Sequence, residues 1–565
     1  MMKMLMVFLM VFSFFSCSTE SSKTDGDSEN DSENNDMNAV DNELDDADSE
    51  VSLEELASNV EITWKQCSLY EGEMDGKAEC AYGEMPYRWL KPDGRIFKTY
   101  AKKYSSGQPI KRQLWLLHGG PGASGVKDFG SWMERLVKDN PDLEVLTIDP
   151  RGVGYSHHLE CPKADFSTVV TDEQFQECAD WLDEEYGEDK IVFGATHAAI
   201  DAAAFIMNSR REGAKVFVWG GSGGTFWTQR MLYFFPDIVD GVIIEGIVPP
   251  AESMVHQDKY TEEIGRKILE MCKEDEFCSS KIPEPEQFYK DLKVKLSEGH
   301  CSMLGITAEY LGSWMYNMLF YFPTHDMIPG FLYRLDRCET GDVNAIFSFY
   351  NKFFGNSVTS DKEAFSMMLF YNELFGECWL NEDFPTADDI ETYLDDIYDD
   401  AWIATGFGYD RNKQYKMWTP YKDENAGLWA ETDVPMLMLQ GKLDPSTPYD
   451  YAVLLKDHFN GEYQHFVEFP YAPHNVASGT PTEKDTESIH CGQAIWNAFM
   501  EDPKAELDLS CVSKTLPPDF KGEGAYAEYY FETKNYWDNE APETVRNIKM
   551  KSFFIPPNRM PVLKK

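Results

Sequence analysis

The sequence predicts an α/β fold in which a mostly parallel sheet carries a large helical cap. Apolar, strand-like runs alternate with helix-compatible segments from about residue 60 to residue 250, as a parallel sheet requires. The next clear strand begins only at Val434, and the roughly 180 residues before it are aromatic-rich and favour helices. The predicted parts are a core over 51–250 and 431–515, a helical cap over 251–430, and a C-terminal extension over 516–565 that wraps the surface.

One strand of this predicted sheet ends in a serine between glycines. The apolar run at 216–219 leads into Gly220, Ser222 and Gly224, and a helix-compatible segment follows. This is the strand-turn-helix context of a nucleophile elbow, where glycines relieve the crowding of a strained turn around an exposed hydroxyl. An ordinary glycine-rich turn is the alternative for this motif alone, so the decision depends on the rest of the chain.

A serine hydroxyl becomes a good nucleophile only when a base removes its proton and an acid orients that base. Asp444 follows the strand-like run at 434–440, and His474 follows a shorter run at 466–469. Serine, acid and histidine in this order are one known arrangement of a catalytic triad. Glu245, at the end of the next strand after the elbow, is the competing acid. We favour Asp444 because its Gly-x-x-Asp-Pro turn follows the cleaner strand.

A glycine-rich loop supplies the third part of the predicted site. The strand-like run at 114–117 leads into His118 and then Gly119-Gly120-Pro121-Gly122. Attack on a carbonyl creates an oxyanion that backbone N–H groups must stabilise, and glycines allow the backbone to approach closely. We predict the amides of Gly120 and Gly223 as the donors. A phosphate-binding loop is disfavoured because no Gly-Lys-Ser/Thr motif follows.

Together these motifs resemble tripeptidyl aminopeptidase-like members of the α/β-hydrolase superfamily, which are close to the prolyl aminopeptidases. The resemblance spans about residues 60–515 and departs from the family at Gly223 after the serine and Pro473 before the histidine. Its further motifs are the Asp-Pro-Arg-Gly-Val-Gly-Tyr-Ser segment at 149–156, the acid turn at 441–448 and the cysteine-bounded segment at 491–511.

The resemblance implies an exported serine hydrolase that releases residues or short peptides from peptide amino termini through an acyl-enzyme. Such an enzyme needs acidic residues to hold the substrate ammonium group. Glu373 and Glu377 are candidates by location, and Glu245 is a third. No cofactor or metal is expected. A carboxylesterase or lipase with the same triad is the main alternative, and a non-catalytic binding protein on the same fold is another.

Charge limits the partners of this chain. The net charge of −47 disfavours binding to nucleic acid and to anionic membrane surfaces, and it favours cationic peptides. Residues 18–50 hold thirteen acidic residues and one lysine, which predicts an extended, solvated tether. Residues 1–17 resemble a lipoprotein signal peptide with Cys17 as the lipidated residue. We therefore expect a cell-envelope lipoprotein or a secreted protein, with membrane contact only through that anchor.

The chain has twelve cysteines, which fits an oxidising compartment. With Cys17 set aside, eleven remain, so at least one is unpaired. Cys301, Cys338 and Cys378 are expected to supply one pair and one free thiol. Neighbouring positions suggest the pairs Cys67 with Cys80, Cys161 with Cys178, Cys272 with Cys278, and Cys491 with Cys511.

Overall fold

The computed structural model describes residues 51–166, 170–250, 252–353, 362–484 and 489–542. The predicted signal segment, Cys17 and the acidic tether at 18–50 lie outside these residues, as does the end of the predicted C-terminal extension.

One mixed sheet of nine strands runs through the described part of the chain, in the order β1-β2-β3-β5-β4-β6-β7-β8-β9. The pairs β1–β2, β2–β3 and β3–β5 are antiparallel, and all the other pairs are parallel. The strands are β1 (Lys65–Cys67), β2 (Ala78–Pro86), β3 (Ile96–Ser105), β4 (Arg112–Leu117), β5 (Leu143–Asp149), β6 (Lys215–Gly221), β7 (Gly241–Glu245), β8 (Met436–Gly441) and β9 (Gln464–Phe469).

The central strands β4, β5, β7 and β8 are buried at every position. Their sequences are near-continuous apolar runs because helices cover both faces of a parallel sheet. The mostly parallel α/β sheet predicted from the sequence is confirmed.

The helices preceding and flanking the sheet are α1 (Leu53–Ser58), α2 (Gly125–Asp128), α3 (Gly130–Asp139), α4 (Asp172–Tyr186), α5 (Ala195–Ser209) and α6 (Gly223–Phe234). The inserted helices, between β7 and β8, are α7 (Gln257–Glu274), α8 (Glu276–Lys281), α9 (Pro285–Ser297), α10 (Ala308–Phe320), α11 (Thr324–Arg337), α12 (Thr340–Phe353), α13 (Met367–Glu377), α14 (Ala387–Tyr398) and α15 (Phe407–Tyr415). The last helices are α16 (Tyr449–His458), α17 (Cys491–Glu501) and α18 (Ala525–Tyr530).

The described part of the C-terminal extension keeps residues such as Lys521, Glu523 and Glu532 exposed while it packs its aromatic side chains against the inserted helices. Phe520, Tyr530 and Trp537 are at most 3% exposed and share one hydrophobic cluster with the inserted helices. The buried Arg334 side chain on α11 donates to the carbonyl oxygens of Tyr536 and others in this segment. Burial of these large aromatic side chains stabilises the contact between the extension and the inserted helices.

Five disulfides are present in the described residues, and the pairings suggested by sequence proximity are confirmed. They are Cys67–Cys80, Cys161–Cys178, Cys272–Cys278, Cys301–Cys338 and Cys491–Cys511. Cys378 is a buried free thiol. Disulfides at this density are typical of proteins that mature in an oxidising compartment.

Within the described ranges, no single helix is long and apolar enough to cross a membrane. One pair of helical segments bent by 51°, Asp172–Phe193 with Ala195–Ser209, meets the criteria of length and composition only.

Candidate active site

Ser222 lies at the sharp turn between β6 and α6. Its backbone has φ 56° and ψ −130°, a left-handed conformation that a residue with a side chain rarely adopts. The Ser222 N–H donates to the carbonyl oxygen of Glu245 on the neighbouring β7, and the Thr225 N–H donates to the Ser222 carbonyl oxygen. These bonds hold the strained residue at the carboxyl end of the parallel strands.

The glycines around Ser222 are required by close backbone contacts. A Cβ atom at Gly220 would lie 2.6 Å from the Gly224 carbonyl oxygen, and one at Gly224 would lie 2.1 Å from the Leu117 carbonyl oxygen. Both distances are far below van der Waals contact, so neither position accepts a side chain. The spacing of these glycines therefore has the packing reason that the sequence pattern predicts for a nucleophile elbow.

Asp444 and His474 form a hydrogen-bonded pair. His474 Nδ1 lies 2.8 Å from Asp444 Oδ2, and both side chains are buried. The other carboxylate oxygen, Oδ1, accepts the N–H groups of Ser446 and Thr447 at 2.8 and 2.9 Å. The carboxylate is thereby fixed in orientation, and it can hold the imidazole ring with Nε2 available to a substrate or nucleophile.

The His474 ring lies beside the end of β7. At that end the carbonyl oxygen of Glu245 accepts the Ser222 N–H. A Cβ atom at Gly246 would lie 2.8 Å from His474 Cε1, and the Phe320 ring packs on the imidazole at a centroid distance of 4.2 Å. His474 Nε2 is buried and makes no hydrogen bond to the described residues. This nitrogen is therefore free to act as a base, and apo sites often form the contact to the nucleophile only with substrate bound.

Glu245, the competing acid, makes no hydrogen bond or ion pair with His474 in the described structure, although the histidine is near enough to act on its charge. Its carboxylate accepts the Trp219 indole N–H at 3.2 Å and the Ala477 N–H at 2.6 Å. Burial raises the pKa of Glu245, although these two hydrogen bonds partly offset that rise. Glu245 also does not line the cleft described below. Its hydrogen bonds instead join β6 to the loop that carries His474.

The two amides predicted to hold an oxyanion lie together. A Cβ atom at Gly223 would be 3.1 Å from the Gly120 nitrogen, so the loop after β4 packs against the first residue of α6. Gly120, Ser222 and Gly223 all line one cleft. Two N–H groups beside a serine at the start of a helix can stabilise negative charge on an oxygen that the serine attacks.

The cleft and its open mouth together hold about 1550 Å³ of space, part of which is open solvent. It is lined from the sheet side by the elbow and from the other side by inserted helices. Its aromatic lining residues are Phe226, Tyr316, Phe320, Tyr321, Phe407 and Tyr451. The mostly apolar lining suits the side chains of a peptide, or an acyl chain.

The two glutamates of α13 that were predicted to hold an ammonium group have different surroundings. Glu373 lines the cleft, and burial, followed by repulsion from Glu377, raises its pKa well above the usual range. Glu377 does not line the cleft. It is buried in an ion pair with Arg230 at 3.0 Å and also accepts the Tyr421 hydroxyl and the Ala195 N–H. Because its oxygens are already engaged, Glu377 is a core residue and not a substrate ligand.

Sequence reasoning missed several polar residues of the cleft, among them Thr447, Glu252 and Gln257. Thr447 Oγ1 donates to Asp444 Oδ2 at 2.7 Å and lies 3.1 Å from His474 Nδ1. Glu252 and Gln257 line the cleft on the segment that leaves β7. The turn residues after Asp444 were a signal for Thr447, because threonine often bonds within such turns. No local pattern marks Glu252 or Gln257.

Among the residues that the structure describes, no group of three or more histidine, cysteine, aspartate and glutamate side chains is placed to hold a metal ion.

Comparisons with known proteins agree with this geometry. The family described as the alpha/beta hydrolase fold matches residues 114–280, which contain the glycine loop and the elbow. Tripeptidyl aminopeptidases of Streptomyces coelicolor and Streptomyces lividans are each 24% identical over 220 residues, which is 35% of this chain. The match spans about 40% of the length of these curated relatives.

Two solved structures with a weaker similarity to this chain are a peptidase and an esterase. The proline iminopeptidase of Mycobacterium smegmatis is 13% identical, with a TM-score of 0.31 and coverage of 73% of this chain and 97% of that one. Acetyl xylan esterase 1 from a Thermoanaerobacterium species is 13% identical, with a TM-score of 0.32 and coverage of 80% and 93%. The strand order, the elbow and the family match together show that the chain has the α/β-hydrolase fold.

Proposed function

We propose that this α/β-hydrolase-fold protein, similar in sequence to tripeptidyl aminopeptidases, is an exported serine hydrolase that removes residues or short peptides from peptide amino termini. The observation that carries the proposal is the Asp444–His474 pair, with Nδ1 and Oδ2 2.8 Å apart, in a fold whose strained elbow carries Ser222. Three such groups in this chain order form a nucleophile, its base and the group that orients the base.

In the proposed reaction, Ser222 Oγ attacks the substrate carbonyl carbon as His474 Nε2 takes the hydroxyl proton. The carbonyl oxygen becomes negative and is held by the N–H groups of Gly120 and Gly223. His474 then donates its proton to the leaving amine, and water hydrolyses the acyl-enzyme by the same steps in reverse. Asp444 keeps the proton of the free imidazole on Nδ1 and stabilises the charged ring.

The preference for peptides with a free amino terminus rests on the sequence similarity and on Glu373. This carboxyl group lines the cleft on α13 and is attracted by Arg230, but among the described residues the ion pairs of Arg230 are with Glu377 and Asp423. A substrate ammonium group would supply the missing charge and stabilise the ionised carboxylate. Hydrolysis of esters uses the same triad, so the identity of the substrate is decided by the cleft and must be measured.

A fluorophosphonate probe and a substrate panel test the proposal. We expect the probe to label the protein at Ser222, and we expect peptides with free amino termini to be cleaved faster than p-nitrophenyl esters of simple acids. Labelling without any peptide cleavage would replace the peptidase by an esterase. Absence of labelling would leave only a binding protein on this fold.

Blocking the substrate terminus is expected to reduce its specificity constant. We expect kcat/KM for an acetylated peptide to be about 10- to 100-fold below that of its free twin, because a hydrogen bond to a charged group contributes about 1.5–3 kcal/mol. Glu373→Gln should reduce this ratio towards one, mainly by slowing the free peptide. The control Glu382→Gln alters an exposed glutamate on the same insertion and should keep the ratio. An unchanged ratio in Glu373→Gln would exclude Glu373 as the terminus-binding group.

Thr447 is expected to act as a positioning residue. Thr447→Val removes the hydroxyl that donates to Asp444 while keeping the side-chain shape, and we expect kcat to fall about tenfold with little change in KM. Thr447→Ser keeps the hydroxyl and should retain most of the activity. Steady-state kinetics on one free-terminus peptide measure both variants. A loss in Thr447→Ser with no loss in Thr447→Val would show that packing of the methyl group, and not the hydrogen bond, matters.

A further inference from the structure

A second carboxyl group in the cleft is without a cationic partner. Glu252 lies just before the 3-10 helix Met254–His256, and its Oε1 atom is buried without a hydrogen bond. Among the described residues no lysine or arginine pairs with it, and the nearest basic atom is His256 Nε2 at 3.6 Å. Burial lowers the pKa of His256 to about 4, so this ring is neutral near pH 7 and does not neutralise the carboxylate.

A second acceptor, independent of Glu252, lines the same part of the cleft. Gln257, the first residue of α7, is only 4% exposed, and its Oε1 atom has no hydrogen-bond partner in the described structure. A buried amide oxygen without a donor costs free energy that a ligand can recover. Glu252 and Gln257 therefore present two unused acceptors, one with potential negative charge, to whatever enters the cleft.

The surroundings of these acceptors suit a cation with an aliphatic stem. The Tyr451 and His256 rings lie at a centroid distance of 5.0 Å with their planes tilted by 31°, and Tyr451 lines the cleft with Met254. Apolar walls accommodate methylene groups, while aromatic faces attract an ammonium or guanidinium group. Among the described residues that line the cleft, Arg411 is the one lysine or arginine, and its Nη1 donates to the Tyr371 hydroxyl.

The segment that carries Glu252 is fixed before any substrate binds. Ser253 Oγ donates to the Trp379 carbonyl oxygen at 2.8 Å, and the Met254 N–H donates to the Cys378 carbonyl oxygen at 2.9 Å. These bonds join the segment to the residues that follow α13. A preorganised acceptor pair loses little entropy on binding and so favours specificity.

We propose that Glu252 and Gln257 form a subsite for the cationic side chain of a lysine or arginine residue in a peptide substrate. This inference rests on the proposed peptidase function and adds a substrate class to it. It assigns the substrate side chain to Glu252, whereas the amino terminus is assigned to Glu373.

The subsite has a distinct dependence on pH. Burial raises the pKa of Glu252 to about 8, so the carboxyl group of the empty cleft is largely protonated at pH 7 and ionised at pH 9. A lysine side chain with an ordinary pKa near 10.4 stays charged over this range. The preference for lysine should therefore rise from pH 7 to pH 9. The titratable groups that interact with Glu252 are His256, Tyr260, Cys378, Asp383, Tyr393 and Tyr451.

Matched peptides test the subsite. Fluorogenic peptides with free termini would carry lysine or norleucine at one of the first three positions in turn, and kcat/KM would be measured for each pair. We expect one position to favour lysine about 10- to 100-fold, and Glu252→Gln to remove most of that preference. Gln257→Leu should weaken it less, and the control Glu382→Gln should keep it. Labelling of Ser222 by a fluorophosphonate checks that every variant is folded.

Three results would overturn the subsite: equal cleavage of lysine and norleucine peptides at every position, a lysine preference that survives Glu252→Gln, or a Glu252→Gln effect only on the free-to-acetylated ratio. The last result would make Glu252 a terminus-binding group.

The p-nitrophenyl esters of Nα-acetyl-lysine and Nα-acetyl-norleucine separate this inference from the peptidase proposal. If no peptide is cleaved but the lysine ester is preferred by the wild type and not by Glu252→Gln, the peptidase proposal fails and the subsite stands. If that preference is absent as well, both fail.

Discussion

Ser222→Ala is expected to lower kcat about a millionfold while leaving the protein folded. Removal of the nucleophile in a triad eliminates the covalent route, and the residual rate comes from binding and the oxyanion donors alone. Alanine has a Cβ atom like serine, so it experiences the same backbone strain at φ 56° and should not cost much stability. Turnover of the best peptide or ester, fluorophosphonate labelling and thermal unfolding measure the three parts of this prediction.

A matched control for the first prediction is Ser313→Ala, which alters another serine of the same cleft. This variant should keep labelling and most of the turnover. Retained labelling and turnover in Ser222→Ala would refute the assignment of the nucleophile. Loss of both in Ser313→Ala, with the protein still folded, would transfer the role to that residue.

Asp444→Asn is expected to reduce kcat about ten-thousandfold. An asparagine can keep its oxygen on the N–H groups of Ser446 and Thr447, which turns its NH₂ group towards His474 Nδ1. The histidine must then accept at Nδ1 and carry its proton on Nε2, where it cannot take the proton of Ser222. Kinetics with a free-terminus peptide, compared with the wild type across pH, measure this loss.

The comparison variant for Asp444→Asn is Glu245→Gln, which should lose stability more than activity. Glu245 accepts one N–H at each carboxylate oxygen, and a glutamine has only one oxygen to replace them. We expect a loss of about 1–3 kcal/mol in the free energy of unfolding and a small change in kcat. The opposite ranking of the two variants in kcat would move the acid of the triad to Glu245.

Local sequence patterns were sufficient to predict the strands, the elbow and the identity of the candidate residues. Strand β6 and helix α6 flank Ser222 where apolar residues, glycines and a helix-compatible segment predicted them. The reason is that a strained turn between buried elements demands particular residue types at fixed spacing, so the pattern is local. The near-neighbour disulfides follow the same reasoning, because short loops bring their cysteines together.

The sequence by itself therefore determined the sheet, the elbow and a short set of polar residues at strand ends. Only the tertiary structure decided which of those residues meet: His474 pairs with Asp444 and not with Glu245, and Glu377 is neutralised by Arg230 while Glu373 lines the cleft. Glu252 and Gln257 line the cleft, and no sequence pattern predicted their position there. The physical reason is that hydrogen bonding and burial of these side chains depend on contacts between segments far apart in the chain, whereas strand and turn preferences depend on immediate neighbours.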